Sequence, residues 1–225
     1  MNEYYTASMM TTAPFLYGAQ PNMGLYFQPD GPHENPADLL PQGKIKEARD
    51  VQEAAAQQLR QDLVFVGTKL NTIGCEGLNL DTGGSAGDAD FLAALQAVRD
   101  LKKAAPNMPV IMGGSGEFVL GMHGEVEFNG RQLAGMYPHE QAEAAQSAGA
   151  GIYGVAIGTK TTESVAWNIA RAVTFVKAAV AAVKIPVHAN VGMGVGGVPM
   201  MEAPPIDSVT RASKSLVQIG KADGL

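Results

Sequence analysis

Three side chains of this sequence stand where acid–base chemistry could be done. Asp81 closes an apolar run and opens Asp81-Thr82-Gly83-Gly84. Glu117 follows Gly113-Gly114-Ser115-Gly116, and His188 lies inside another apolar run, two residues before Asn190. Carboxylates and an imidazole so placed suit proton transfer or the steering of an ammonium substrate. Each also has a plainer reading. Asp81 can hydrogen-bond the Gly-rich loop after it, and Glu117 can cap a turn. For His188, a core histidine satisfied by a neighbour such as Asn190, on the same strand face, is the favoured reading.

Asp-Thr-Gly is also the catalytic triplet of aspartic proteases, whose chemistry needs two carboxylates sharing a proton. A single triplet between a strand and a helix does not supply that. Gly192-Met193-Gly194-Val195-Gly196-Gly197 follows a strand-like run, and its backbone N–H groups could cradle an anion. No Gly-Lys-Ser/Thr follows, and Pro199, Pro204 and Pro205 separate the loop from the next helix, so neither phosphate fingerprint is met. A flexible loop around a large flat ligand or partner is favoured, made apolar and adaptable by Met193, Met200 and Met201. A phosphate-ligand enzyme such as an aldolase or isomerase stays as the alternative. His33, His123 and His139 are scattered without ligand spacing, so no metal site is expected. Lys160 reads as a solvated loop lysine, and Trp167 and Tyr153 as packing residues.

The elements that must hold these residues alternate. Short apolar runs at 13–18, 77–81, 109–113, 152–158 and 186–190 read as strands buried on both faces. Helical stripes lie between them, at 45–70, 91–101, 140–148, 165–183 and 209–219, with Asp88 or Asp90 as the expected N-cap of the second. Helix-to-strand links are tight and strand-to-helix links are long. That asymmetry predicts an α/β fold of the partial (β/α)8 barrel kind, with five βα units and the start of a sixth strand. Residues 1–12 read as a poorly ordered extension and 13–225 as one incomplete barrel. A small hairpin is expected within 116–131, turning at Asn129-Gly130.

Composition narrows the function. The chain of 225 residues is 46% apolar and 17% charged, which suits a well-buried globular protein. Its net charge of −6 favours neither nucleic acid nor an anionic membrane. One cysteine, Cys75, excludes a disulfide framework, and no run is long enough to span a membrane, so a cytoplasmic location is expected.

Longer strings carry a resemblance. Phe15-Leu16-Tyr17-Gly18-Ala19-Gln20-Pro21-Asn22-Met23-Gly24, Asp81-Thr82-Gly83-Gly84-Ser85-Ala86-Gly87-Asp88 and Val119-Leu120-Gly121-Met122-His123-Gly124 are three of them. Trp167-Asn168-Ile169-Ala170-Arg171-Ala172 is a fourth, and Gly192 to Met200 with Pro204-Pro205-Ile206-Asp207-Ser208-Val209 is the strongest. With these strings the chain resembles the dimethylamine:corrinoid methyltransferase family from about Pro14 to its last residue. The resemblance implies a (β/α)8 barrel that moves a methyl group from dimethylamine to the Co(I) of a cognate corrinoid protein, leaving monomethylamine. The corrinoid is carried by that partner, so this chain is expected to bind no cofactor of its own. Homo-oligomeric full-length members are implied too. The family's pyrrolysine, encoded by UAG, is implied directly after the position matching Leu225. Ile219-Gly220-Lys221-Ala222-Asp223-Gly224-Leu225 echoes Ile73-Gly74-Cys75-Glu76-Gly77-Leu78, which leads into a strand. The chain is therefore expected to be a fragment that lacks the catalytic pyrrolysine, with an unpaired sheet edge at 186–190, and a non-catalytic remnant is the alternative to an enzyme. Mouth residues implied by the resemblance are Asn22, Asp81, Gly84, Glu117 and the loop with Gly192, Gly194, Gly196 and Gly197. Asp81, Glu117 and His188 are the expected catalytic set, with Asn190 beside them.

Overall fold

The computed structural model describes residues 21–161 and 163–225. The expected strand at 13–18 and the extension at 1–12 lie outside the described residues. The elements are α1 (Pro36–Leu39), α2 (Ile45–Thr72), β1 (Leu78–Gly83), α3 (Asp88–Ala104), β2 (Val110–Gly114), β3 (Glu127–Phe128), β4 (Arg131–Gln132), α4 (Pro138–Ala148), β5 (Ile152–Val155), α5 (Ala166–Ala182), β6 (Val187–Ala189) and α6 (Ile206–Gln218).

Strands β1, β2, β5 and β6 form one parallel sheet in that order. The order follows the chain without reversal, whereas a doubly wound sheet turns back at a switch point. Helices α2 to α6 pack each on the next. The reason lies in the period-two pattern of the strands. Leu80, Met112, Tyr153 and Val187 are each 1% exposed or less and point into the helical layer, where Phe91, Leu95, Val98 and Leu101 are fully buried. The other face of the same strands carries Asp81, Gly113, Gly154 and His188. The small hairpin β3–β4 turns at Asn129 and Gly130, whose φ angles of 54° and 75° are those a two-residue hairpin turn demands.

Three details correct the sequence reading. First, α3 is capped by Gly87, not by Asp88 or Asp90. Asp88 instead accepts hydrogen bonds from His123 N at 2.8 Å and Gly124 N at 2.6 Å, which pins the loop after β2. Asp90 reaches back to accept from Ala86 N at 3.0 Å, one residue before the cap. Burial raises the Asp90 carboxyl above its ordinary value, although its hydrogen bonds oppose the shift.

Second, β1 runs on past Asp81 to Gly83, with a register break between Leu80 and Gly83 and a left-handed Thr82 at φ 53°. Such a bulge re-aims the side chains at its site, and Asp81 sits within it.

Third, the edge at β6 is not open. Asp223 N donates to Val187 O at 2.8 Å, and Ala189 N donates to Gly224 O at 3.1 Å. The Asp223 carboxylate also accepts from Val187 N at 2.8 Å. The segment after α6 thus pairs parallel to β6 at His188 and Gly224. This satisfies backbone groups that an edge strand would otherwise present.

Candidate functional site

The carboxyl ends of the parallel strands gather most of the candidate residues, and sheet register decides which of them meet. Gly113 pairs with Gly154, and Gly154 pairs with His188. Asp81 lies over Gly113: a Cβ placed on that glycine would be 2.7 Å from Asp81 Oδ1. His188 lies over Gly154 in the same way, with Nε2 at 2.6 Å from the position a Cβ would take. One row across the sheet therefore reads Asp81, Gly113, Gly154, His188. A carboxylate and an imidazole approach from its two ends, over two residues without side chains. Asp81 Oδ1 also accepts from Thr82 N at 2.8 Å, which fixes the carboxylate through the bulge. Asn190 follows His188 on the same face and is exposed. His188 is half-buried but rests on a glycine, so the core-histidine reading does not describe its surroundings.

Glu117 belongs to a second group. Its carboxylate accepts from the Arg171 guanidinium of α5, and Lys160 Nζ stands 3.4 Å away. Arg171 also donates to the carbonyl of Gly158 and lies over the Trp167 ring, 5.7 Å from its centroid. The Glu117 side chain is 12% exposed. Burial opposes its ionisation. The Arg171 hydrogen bond, its own backbone N–H and the charges of Arg171 and Lys160 outweigh burial and hold the carboxyl below its ordinary value. Arg171 Nε is buried without a hydrogen-bond partner among the described residues. Lys160 is half-exposed, as a loop lysine should be, but it is an ion-pair member.

The Gly192–Gly197 loop joins this second group through Gly158, which bridges to Val195. Its N–H groups are largely spent within the protein. Gly192 N donates to Val195 O, Gly194 N to Pro199 O, Val195 N to Gly192 O and Gly196 N to Ile157 O. An anion cradle needs those donors turned outward, so the phosphate reading loses its basis. Thr159 and Ser164 hydroxyls add bonds to Val198 O and Gly197 O, so the loop is clamped to the segment after β5. Gly197 is required by the backbone itself. Its φ is 88°, and a Cβ there would come within 2.9 Å of the backbone N and Cα of Ile169. Gly197→Ala is expected to destabilise the fold by about 2 kcal/mol or more, read from urea melts of the two proteins.

Two expected mouth residues stand apart from both groups. Gly84 turns at φ 86° against Phe91 of α3, where a Cβ would be 3.3 Å from that side chain. Asn22 caps the turn Met23–Tyr26, accepting from Gly24 N at 3.0 Å. Tyr153 packs as expected and donates its buried hydroxyl to Gln141 Oε1 at 2.8 Å. Among the described residues no group of three or more His, Cys, Asp or Glu could hold a metal ion. Nor is any described helix long and apolar enough to cross a membrane.

The sequence reading passed over Gly113, Gly154 and Arg171. A signal for Arg171 was present: it lies off the apolar stripe of Val165, Ile169 and Val173, one turn after Trp167 on the same helix face. Gly113 and Gly154 carried a weaker one. Each stands two residues after an isoleucine, Ile111 and Ile152, on the same strand face.

Polar side chains collected at the carboxyl ends of parallel strands, under long strand-to-helix loops, stand where α/β proteins hold their small ligands. The model of the family described as Dimethylamine methyltransferase (Dimeth_PyL) matches residues 1–225, and the chain belongs to that family. It is thereby a member of a methyltransferase family. No solved structure matches the chain.

Proposed function

We propose that this chain serves the transfer of a methyl group from dimethylamine to the Co(I) of a cognate corrinoid protein, with monomethylamine as the product. The observation that carries the reading is the family match over all 225 residues. The fold is consistent with it. Four parallel strands in chain order, with consecutive helices packed in sequence, are the arrangement of an arc of a (β/α)8 barrel. Residues 13–225 are read as that single barrel unit.

The residues present suit such a partner and substrate. Large apolar side chains are exposed on the loops after β2 and β6 and at the start of α5: Phe118 at 48%, Met193 at 54%, Met200 at 66% and Trp167 at 49%. Such a rim fits the broad, largely apolar face of a corrinoid held by another protein, and methionine adapts its shape to it. The polar row lies below the rim. The carboxylate of Asp81 would draw a protonated amine, and His188 would hold or release its proton. The pairing of Gly224 with His188 runs the following segment along this row. Most of what the chain would contribute is positioning, since a dialkylamine is a poor leaving group that must be aimed at the acceptor.

The test is an assay with the purified protein, dimethylamine and the reduced cognate corrinoid protein, following monomethylamine release. Production of monomethylamine that depends on both other components is expected. Equal turnover of trimethylamine or methylamine, or none of dimethylamine, would sink the substrate assignment.

A further inference from the structure

Many glycines in this chain are explained by the backbone. Gly197 touches the main chain of α5, Gly196 has Asn190 O at 2.6 Å from a Cβ position, and both have left-handed φ. Gly113 and Gly154 are different. Neither has a φ in the left-handed region, so the backbone admits any L-residue at both. The nearest atom to a Cβ at Gly113 is Oδ1 of Asp81, and the nearest at Gly154 is Nε2 of His188. At Gly113 the Asp81 carboxylate takes that space; at Gly154 the His188 ring takes it, with the Gly113 Cα 3.3 Å from the Cβ position as well. Both glycines weaken a strand interior relative to a residue with a side chain, and no left-handed φ requires either of them.

We infer that Gly113 and Gly154 are specificity-determining residues: they floor a seat for a small secondary ammonium ion between the Asp81 carboxylate and the His188 imidazole. The inference rests on the proposed amine substrate and deepens it. The two glycines are neighbours on adjacent strands, separated by one strand spacing of about 4.8 Å. A dialkylammonium ion carries two N–H donors and two alkyl groups. One donor can go to the carboxylate and the other to an imidazole nitrogen with a free lone pair. Asp81 and His188 can lie low enough over the sheet to do this only because the strand beneath each is bare, at Gly113 and Gly154. A methyl group added at either glycine pushes away the side chain above it. The atoms it would displace first are side-chain tips, so the sheet itself can stay intact.

Gly113→Ala and Gly154→Ala test this, with Gly116→Ala as the control, because a Cβ at Gly116 meets nothing within 4 Å. Binding of dimethylammonium and of methylammonium is measured by calorimetry on the whole chain. The Cε1–H resonance of His188 is followed in parallel, and thermal melts report folding. The parent is expected to bind dimethylammonium with a shift of the His188 resonance. Either floor variant is expected to lose about tenfold or more in dimethylammonium affinity, less for methylammonium, with a melt close to the parent's. The control keeps the parent's affinity. Floor variants that bind dimethylammonium as the parent does would overturn the inference, as would binding that leaves His188 unmoved or a parent that binds no amine. A parent that binds the amine at His188 yet gives no methyl transfer with the corrinoid partner counts instead against the reaction, and leaves the seat standing.

Discussion

Replacing Arg171 by methionine is expected to lower stability by about 2–3 kcal/mol at neutral pH, because it leaves a largely buried carboxylate without its main counter-charge. The Glu117 side chain is 12% exposed and Arg171 20%, so water does little to screen the pair. Lys160 at 3.4 Å remains, but it is half-exposed and offers part of the compensation only. The sign of the pH dependence follows from the direction of the Glu117 shift. Its folded-state carboxyl lies below the ordinary value of 4.5. The stability it contributes is therefore complete above pH 4.5 and is lost as the pH falls through the depressed value. In the variant, burial acts with less opposition and the carboxyl rises. The gap between parent and variant should be widest at neutral pH and close under acid. Urea melts of parent, Arg171→Met and Arg171→Met/Glu117→Gln across that range check it. The double variant should recover part of the loss, since it buries no charge. A single variant as stable as the parent at pH 7, or a gap that widens in acid, would refute the account.

The same group explains why the loops hold their shape. Arg171 ties Glu117 to the carbonyl of Gly158, and Gly158 bridges to Val195 in the Gly192–Gly197 loop. The loops after β2, β5 and β6 are linked through one guanidinium. A sequence reader sees a glycine-rich stretch and expects a flexible loop. The structure instead shows Thr159, Ser164 and Ile157 holding it, because each positive-φ glycine turns a donor or acceptor inward. Composition reports the conformations available to such a loop, but not the partners that select one of them.

Elements were legible where their signal is local. The stripe beginning at Ile45 does form α2, the run after Pro109 does form β2, and Asn129-Gly130 does turn the small hairpin. Boundaries failed where a side chain had a better partner elsewhere. Asp88 has the residue type of an N-cap, but the amides of His123 and Gly124 take its carboxylate. The strand at Asp81 runs further than its apolar residues suggest, because Thr82 accepts a left-handed conformation within a bulge. The site was half legible for the same reason. Asp81 and His188 could be picked out as reactive types. That they face one another is a matter of strand register, which puts Gly113 beside Gly154 and Gly154 beside His188. Register is set by pairing between segments far apart in the chain, and no spacing within a single segment encodes it.

Removing the two polar ends of that row is expected to have the largest effect on activity. Asp81→Ala and His188→Ala should each lower methyl transfer from dimethylamine about 10²–10⁴-fold, the range for a positioned acid–base group. The effects should not multiply in the double variant, because both residues act on one bound amine. The substitutions are also expected to differ in kind. Asp81→Asn keeps an acceptor for Thr82 N, so the bulge can persist. It removes the charge that draws an ammonium ion, and the loss should fall mainly on KM. His188→Ala removes a group that can take or give a proton, so the loss should fall on kcat. Stability should change little in either case, since Asp81 is exposed and His188 only half-buried. Steady-state kinetics across pH, with a melt of each variant, separate these outcomes. If His188→Ala retained its kcat, the imidazole would be a lining residue only. If Asp81→Asn kept the parent's KM, the ammonium would be held elsewhere, and Glu117, already neutralised by Arg171, would be a poor substitute.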